Sequence, residues 1–279
     1  MNINPLVSVV IPCYNHESFV QDSIQSVIDQ TYENIELIII DDGSQDSSIL
    51  RIQEMVEKCE NRFTRFEFRY RPNKGLSATL NEALDWCSGE YYSAIASDDI
   101  MIKTKTEFQV KFLSENHDVA AVFGAIKLID KNNKIKGERI HETHKYVFEE
   151  IFLNKHDLPA STQMAQLNLI KSIGGYNPKY KIEDWYMLLK MSSRNYSIVY
   201  INEFFCFYRF HDSNFSKNME VMGKEMKNII FEYNKNILYL KSLREIYKQE
   251  FYYFKNSKKY FKAVVVLLEF FYSYFKGKP

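Results

Sequence analysis

Two pairs of adjacent carboxylates are the residues of this chain best placed to do chemistry. Asp98-Asp99 closes the mostly apolar and aromatic run Tyr91-Tyr92-Ser93-Ala94-Ile95-Ala96-Ser97, and Glu183-Asp184 opens a stretch with Met187, Leu188 and Met191 at helical spacing. A buried strand that stops in paired Asp carries those oxygens to the rim of a sheet, where they do not sit unpaired in a core. Hard oxygen ligands of this kind suit Mg or Mn, ions that usually reach proteins together with phosphate groups. The plainer alternative is that the pair ends a strand and caps the helix that follows. Glu183 and Asp184 divide in the same way. They complement the positive dipole of a helix N-terminus, or one of them takes a proton from a substrate at a rigid helix start.

The elements that must position these groups are legible in the first hundred residues. Residues 6–11 form a β-rich run ended by Pro12, Cys13, Tyr14, Asn15 and His16, after which Val20, Ile24, Val27 and Ile28 recur at helical spacing. Residues 36–40 are a second apolar strand, ending in Asp41-Asp42-Gly43-Ser44, and Ile49, Ile52 and Val56 mark one helix after it. Phe66, Phe68 and Tyr70 alternate as a third strand that ends in Arg71-Pro72-Asn73-Lys74-Gly75, followed by a helix over residues 76–87 and a fourth strand over 91–96. Strands alternating with helices imply an α/β fold with a mainly parallel sheet covered on both faces. Pro12, Tyr14 and Asn15, Asp41 and Asp42, Arg71 and Asn73, and Asp98 and Asp99 then all lie at C-terminal strand ends, the edge where open α/β sheets bind ligands. Four strand ends so equipped favour a nucleotide site. The chain has no G-x-x-x-x-G-K-[ST], which excludes a P-loop, and no G-x-G-x-x-G after the first strand, which argues against a dinucleotide site.

Composition narrows the class further. The 279 residues suffice for one large α/β domain or a domain with a helical appendage. A formal net charge of zero gives no basic field for nucleic acid. Cys13, Cys59, Cys87 and Cys206 lack metal or redox spacing and read as buried thiols in a reducing compartment. The first residues carry no secretory signal, so a cytoplasmic chain is expected. From residue 217 onward thirteen Lys or Arg stand against six Glu, a net +7, among many Phe and Tyr. A basic, aromatic helical tail suits the anionic face of a membrane; equally, such helices pack back on the domain or on a second subunit. Residues 263–272 are too short an apolar run to span a bilayer.

The motifs Val9-Val10-Ile11-Pro12-Cys13-Tyr14-Asn15, Ile40-Asp41-Asp42-Gly43-Ser44, Asn73-Lys74-Gly75 and Ser97-Asp98-Asp99, in that order, resemble family-2 glycosyltransferases of the GT-A fold. The resemblance spans residues 6–212. It implies an inverting transferase that uses a nucleotide-sugar, usually a UDP-sugar, with Mn or Mg. Residues 1–100 would form the nucleotide-sugar half, 101–215 the acceptor half, and 216–279 a helical extension. Pro12, Tyr14 and Asp41 would border the uracil and ribose, with Asn15 and Arg71 nearby. Asp42 is equally suited to bracing the turn through Ser44. Asn73, Lys74 and Gly75 would lie near base and phosphates, Asp98 would face the ribose, and Asp99 would bind the metal. The family's D-x-D has Ser97 at its first position here, and a hydroxyl does not replace a carboxylate's charge on a cation.

Gly174-Gly175-Tyr176 followed by Glu183-Asp184-Trp185 resembles the family's ED motif, which makes Asp184 the catalytic base, with Glu183 and Trp185 beside the acceptor. His211 resembles the His that completes the metal's coordination. Arg209 either pairs with phosphate or salt-bridges a nearby acid, while His141, His144 and His156 read as surface or packing residues. Bacterial members of the family often build surface polysaccharide, O-antigen or lipooligosaccharide, so a saccharide or lipid-linked acceptor is implied, with peripheral contact at the inner membrane face and a homo-oligomer both open. Two other classes compete: a sugar-nucleotide nucleotidyltransferase, which wants a Gly-rich basic loop where this chain has Pro12-Cys13-Tyr14-Asn15, and a noncatalytic nucleotide-sugar-binding module.

Overall fold

The computed structural model describes residues 4–210 and 219–275. Strands β1 (Val7–Cys13), β2 (Ile35–Asp41), β3 (Arg65–Tyr70) and β4 (Tyr91–Ala94) alternate with helices α1 (Val20–Ile28), α2 (Ser48–Gln53), α3 (Val56–Arg62) and α4 (Leu76–Trp86). β1 pairs in parallel with both β2 and β4, and β2 with β3. β1 and β2 are buried almost throughout, which is why they read as unbroken apolar runs. The one helix expected after β2 is two: the chain breaks between α2 and α3, with Ile52, Met55 and Cys59 all buried across the break.

The second half runs β5 (Ile100–Met101), α5 (Lys105–Glu115), β6 (Val119–Ile129), β7 (Ile135–Arg139), β8 (His144–Tyr146), α6 (Phe148–Phe152), a 3₁₀ turn at Ala160–Thr162, β9 (Met164–Gln166), α7 (Leu167–Ser172), α8 (Glu183–Ser192) and β10 (Ser197–Arg209). All ten strands form one sheet in the order β3-β2-β1-β4-β9-β6-β10-β5, with β7 on β6 and β8 on β10. β10 runs parallel to β6, while β9, β5, β7 and β8 are antiparallel to their neighbours, so the mainly parallel sheet is mixed in its second half. β9 inserts between β4 and β6, directly after the 3₁₀ turn at Ala160–Thr162.

Alternation along the strands feeds two cores. Val9, Ile11, Leu37, Ile39 and Tyr91 pack with α1, α2, α3 and α5, whereas Val10, Ile38, Ile40 and Tyr92 pack with α4, α6, α7 and α8. The C-terminal helices are α9 (Met219–Phe231), α10 (Tyr239–Asn256) and α11 (Tyr260–Phe275). Met226, Ile229 and Ile230 of α9 and Ile246 of α10 belong to the second core. Packing back on the domain is therefore the arrangement of α9 and α10. No helix of the described residues is long and apolar enough to cross a membrane. The four cysteines are buried and unpaired.

One glycine ties two strand ends together. Gly43 after β2 has φ +80°, and a Cβ there would sit 2.6 Å from the Asn73 backbone nitrogen. Gly43→Ala therefore meets both backbone strain and a clash with the loop after β3, with an expected loss of about 1–3 kcal/mol. A denaturant midpoint equal to that of the unsubstituted protein would refute this.

Candidate active site

The loops after β1, β2 and β3 are laced into one rim. Asn15, in the left-handed conformation that Asn tolerates, donates its N–H to Ser44 Oγ (2.8 Å) and accepts from the Gln45 N–H through Oδ1 (2.8 Å). Asp41 accepts from the N–H groups of Gly43 (3.1 Å) and Ser44 (2.8 Å) and from Ser44 Oγ (2.6 Å). The brace through Ser44 thus belongs to Asp41, not to Asp42. An Asx turn forms from a carboxylate to the backbone two residues on, and for Gly43 that residue is Asp41. Asp42 points the other way, accepting from the N–H groups of Lys74 (2.8 Å) and Gly75 (2.9 Å) and pairing with Arg71. Arg71 also donates to Glu82 (2.7 Å) and Thr79 (2.9 Å) on α4. Asp42 and Arg71 therefore hold the loop that enters α4. Tyr14, Asn73 and Lys74 remain exposed on the rim, and Pro12 is half-buried.

Asp98 and Asp99 follow β4 in a tight turn in which the Asp99 N–H donates to the Ala96 carbonyl (3.1 Å). Asp99 is buried, and its Oδ1 accepts the Arg209 N–H at 2.8 Å. Arg209, fully enclosed at the end of β10, donates Nε to the Asp98 carbonyl (2.7 Å) and pairs with Asp22 (3.3 Å). Its guanidinium serves the fold and the acidic turn. Burial, and after it the charge of Asp98, push the Asp99 carboxyl well above the usual carboxylate range, against the hydrogen bond from Arg209. Two crowded carboxylates of hard oxygen suit a divalent cation, whose charge relieves both effects. Among the described residues no three His, Cys, Asp or Glu side chains converge as a complete metal-binding group; a cation there needs further donors, such as phosphate oxygens. His211 lies outside the described residues.

The sequence reading passed over His16. Its Nδ1 lies 2.8 Å from Ser97 Oγ and its Nε2 lies 3.9 Å from Asp98 Oδ2. An imidazole from the β1 loop thus stands where the D-x-D pattern lacks its first carboxylate. The one available signal was its place at a strand end, directly after Asn15.

Glu183 and Asp184 form the first turn of α8, both half-buried. Trp185 is buried, its indole N–H donating to the Ile151 carbonyl (2.9 Å), so it anchors the helix in the core and does not line the rim. The Trp185 backbone N–H donates to Asp184 Oδ1 (2.7 Å). A helix N-terminus favours ionised carboxylates, yet burial prevails: it raises the Asp184 carboxyl, and burial together with the Asp184 charge raises Glu183.

Two contacts bind the segment ahead of α8 to the nucleotide half. Asn81 of α4 clasps Tyr176, donating to its carbonyl (2.7 Å) and accepting its N–H (2.8 Å), and a Cβ on Gly175 would meet Asn81 Oδ1 at 2.6 Å. The Tyr176 hydroxyl reaches that of Tyr92 on β4 (3.3 Å), and burial followed by the nearby charges of Glu183 and Asp184 raises the Tyr176 phenol. The strand that delivers Asp98 and Asp99 and the helix that starts at Lys74-Gly75 thereby also hold the approach to α8.

Residues 8–174 match the sequence model of glycosyl transferase family 2. A Haemophilus influenzae glycosyltransferase is 30% identical over 253 residues, 90% of this chain and 94% of its own length. The Escherichia coli UDP-Glc:α-D-GlcNAc-diphosphoundecaprenol β-1,3-glucosyltransferase WfgD is 30% identical over 261 residues, 91% of this chain and 98% of its own. In fold, the chain is similar to S. aureus TarS 1-349 in complex with UDP-GlcNAc (TM-score 0.68, 18% identity, 96% of this chain and 81% of that one). It is also similar to the mannosyltransferase PcManGT from Pyrobaculum calidifontis in complex with GDP-Man and Mn²⁺ (TM-score 0.63, 14% identity, 88% and 74%). On its sequence match and on this GT-A-type sheet, the chain belongs to glycosyltransferase family 2 and is a glycosyltransferase.

Proposed function

We propose that the protein is an inverting, metal-dependent transferase moving a sugar from a UDP-sugar to a hydroxyl of a saccharide or lipid-linked saccharide in bacterial surface-polysaccharide synthesis. The observation that carries this reading is that both acidic pairs lie near β4: Asp98-Asp99 in its C-terminal turn, and Glu183-Asp184 close enough for their charges to act on Tyr176, whose hydroxyl meets that of Tyr92. In it, Pro12, Tyr14 and Asp41 border base and ribose, Asn73, Lys74 and Gly75 lie by the phosphates, and Asp98 faces the ribose. Asp99, with His211, holds Mn or Mg. The bound cation supplies positive charge to the departing diphosphate. Asp184 takes the acceptor's proton as the acceptor oxygen bonds to the anomeric carbon and the bond from that carbon to the diphosphate breaks. One displacement from the opposite face inverts the centre, and Glu183 orients the acceptor. The lipid-linked acceptor named for WfgD supports the acceptor class, and an acceptor of that class puts the work at a membrane surface.

A melting-temperature panel of UDP-, GDP- and ADP-sugars with and without Mn or Mg tests the donor. A UDP-sugar at a hundred times its Kd stabilises by about 2.7 kcal/mol, with metal and not without it. Equal shifts from GDP-sugars would overturn the donor assignment, and pyrophosphate release from UTP and a sugar phosphate would point to a nucleotidyltransferase.

A further inference from the structure

Among the described residues, helix α11 is apolar on two opposite sides but packed on one. Ala263 and Val266 face Phe254 of α10, and Arg244 of α10 donates to the Ser273 carbonyl (3.0 Å) and Oγ (3.2 Å), which fixes the far end. On the other side Phe261, Val264, Val265, Leu268 and Phe271 are exposed by 83, 54, 40, 64 and 53%. Their spacing of three and four residues makes one stripe along the helix. A helix that is apolar all round belongs in a covered position.

The cover is not a bilayer crossed end to end. Sixteen residues reach about 24 Å, short of a hydrocarbon core of about 30 Å, and α10 occupies one flank. Charge separates the remaining occupants. Lys255, Lys258 and Lys259 are exposed at the turn into α11, Lys262 pairs with Glu220 (2.6 Å), and the only acid within α11 is Glu269. Two copies meeting through this basic segment would each bring a net +7 from residue 217 onward, a repulsion that a neutral partner lacks and that anionic lipid reverses. Apolar residues with flanking Lys are what an interfacial helix presents to headgroups and acyl chains.

We propose that α11 lies in the plane of an anionic lipid surface, with the stripe from Phe261 to Phe271 in the acyl boundary and Lys255, Lys258 and Lys259 on the headgroups. It deepens the reading of a membrane-borne acceptor and rests on that reading only for its purpose. Flotation of the full chain with phosphatidylglycerol vesicles, phosphatidylcholine vesicles, or neither tests it. Binding to phosphatidylglycerol is expected to fall at least about tenfold on phosphatidylcholine or at high salt, and as much in the double variant F261S/L268S. The purely surface variant K255E/K258E/K259E covers the case in which the apolar double variant misfolds, and is expected to lose phosphatidylglycerol binding to the same extent. Both variants keep the rate of transfer to a water-soluble acceptor. Absence of vesicle binding at low salt would overturn the proposal, as would a concentration-dependent dimer that the double variant dissolves. Vesicle binding without transfer to a lipid-linked acceptor would instead remove the acceptor reading and leave the docking face intact.

Discussion

Asp184→Asn lowers sugar transfer by about a thousandfold while donor binding survives. General-base assistance contributes about 10²–10⁴, and an amide of the same shape cannot accept the proton. Asn keeps the oxygen that the Trp185 N–H donates to, so the start of α8 is preserved and the loss is chemical. The pH profile gives an independent check. Burial raises the Asp184 carboxyl, and burial with the neighbouring charge raises Glu183. Only the deprotonated base accepts a proton, so single-turnover rates rise with pH along a limb above the ordinary carboxylate range of about 4. Glu183→Gln leaves the burial of Asp184 in place, and within the pair the Asp184 charge acts on Glu183, so the limb stays where it is. A variant at Asp184 retaining a tenth of the rate, or a limb that disappears in Glu183→Gln, would remove Asp184 from this role.

Asp99→Asn is expected to cost transfer about two to three orders of magnitude, by a different route. The amide oxygen still accepts the Arg209 N–H, so β10 and the acidic turn stay docked. What disappears is a buried negative charge, crowded by Asp98, that suits a cation. The protein without ligands accordingly melts at the same or a higher temperature, because burial and the Asp98 charge disfavour the ionised form of Asp99, a cost that a neutral amide does not carry. The additional melting rise that a nucleotide-sugar produces in the presence of Mn or Mg vanishes. Asp99→Asn therefore loses donor binding and transfer together, whereas Asp184→Asn loses transfer alone. A metal-dependent melting rise that persists in Asp99→Asn would move the metal to other residues.

How far the sequence carried this picture differs by element. β1, β2 and β4 were readable because strands covered on both faces are local apolar runs, and β3 because its aromatic residues alternate; polar residues end each within a few positions. β5, β8 and β9 were not, because two or three residues carry no period. Asp41 and Asp42 are the same residue type side by side, and only the turn at Gly43 and the approach of Lys74 and Gly75 decide which braces which loop. Arg71, Trp185 and Arg209 looked available to substrate, but their partners come from distant elements: Glu82, Ile151 and Asp99.

The chain by itself determined the alternating half-sheet, the acidic and polar groups at its strand ends, and the resemblance they carry, since each depends on neighbours in sequence. The tertiary structure alone decided which of those groups are braces and which stay on the rim. It also brought His16 against Ser97 and, among the described residues, left one flank of α11 largely exposed while α9 and α10 joined the core. Those outcomes depend on which remote segment arrives to satisfy each buried polar atom or cover each apolar face, and local pattern carries no record of that arrival.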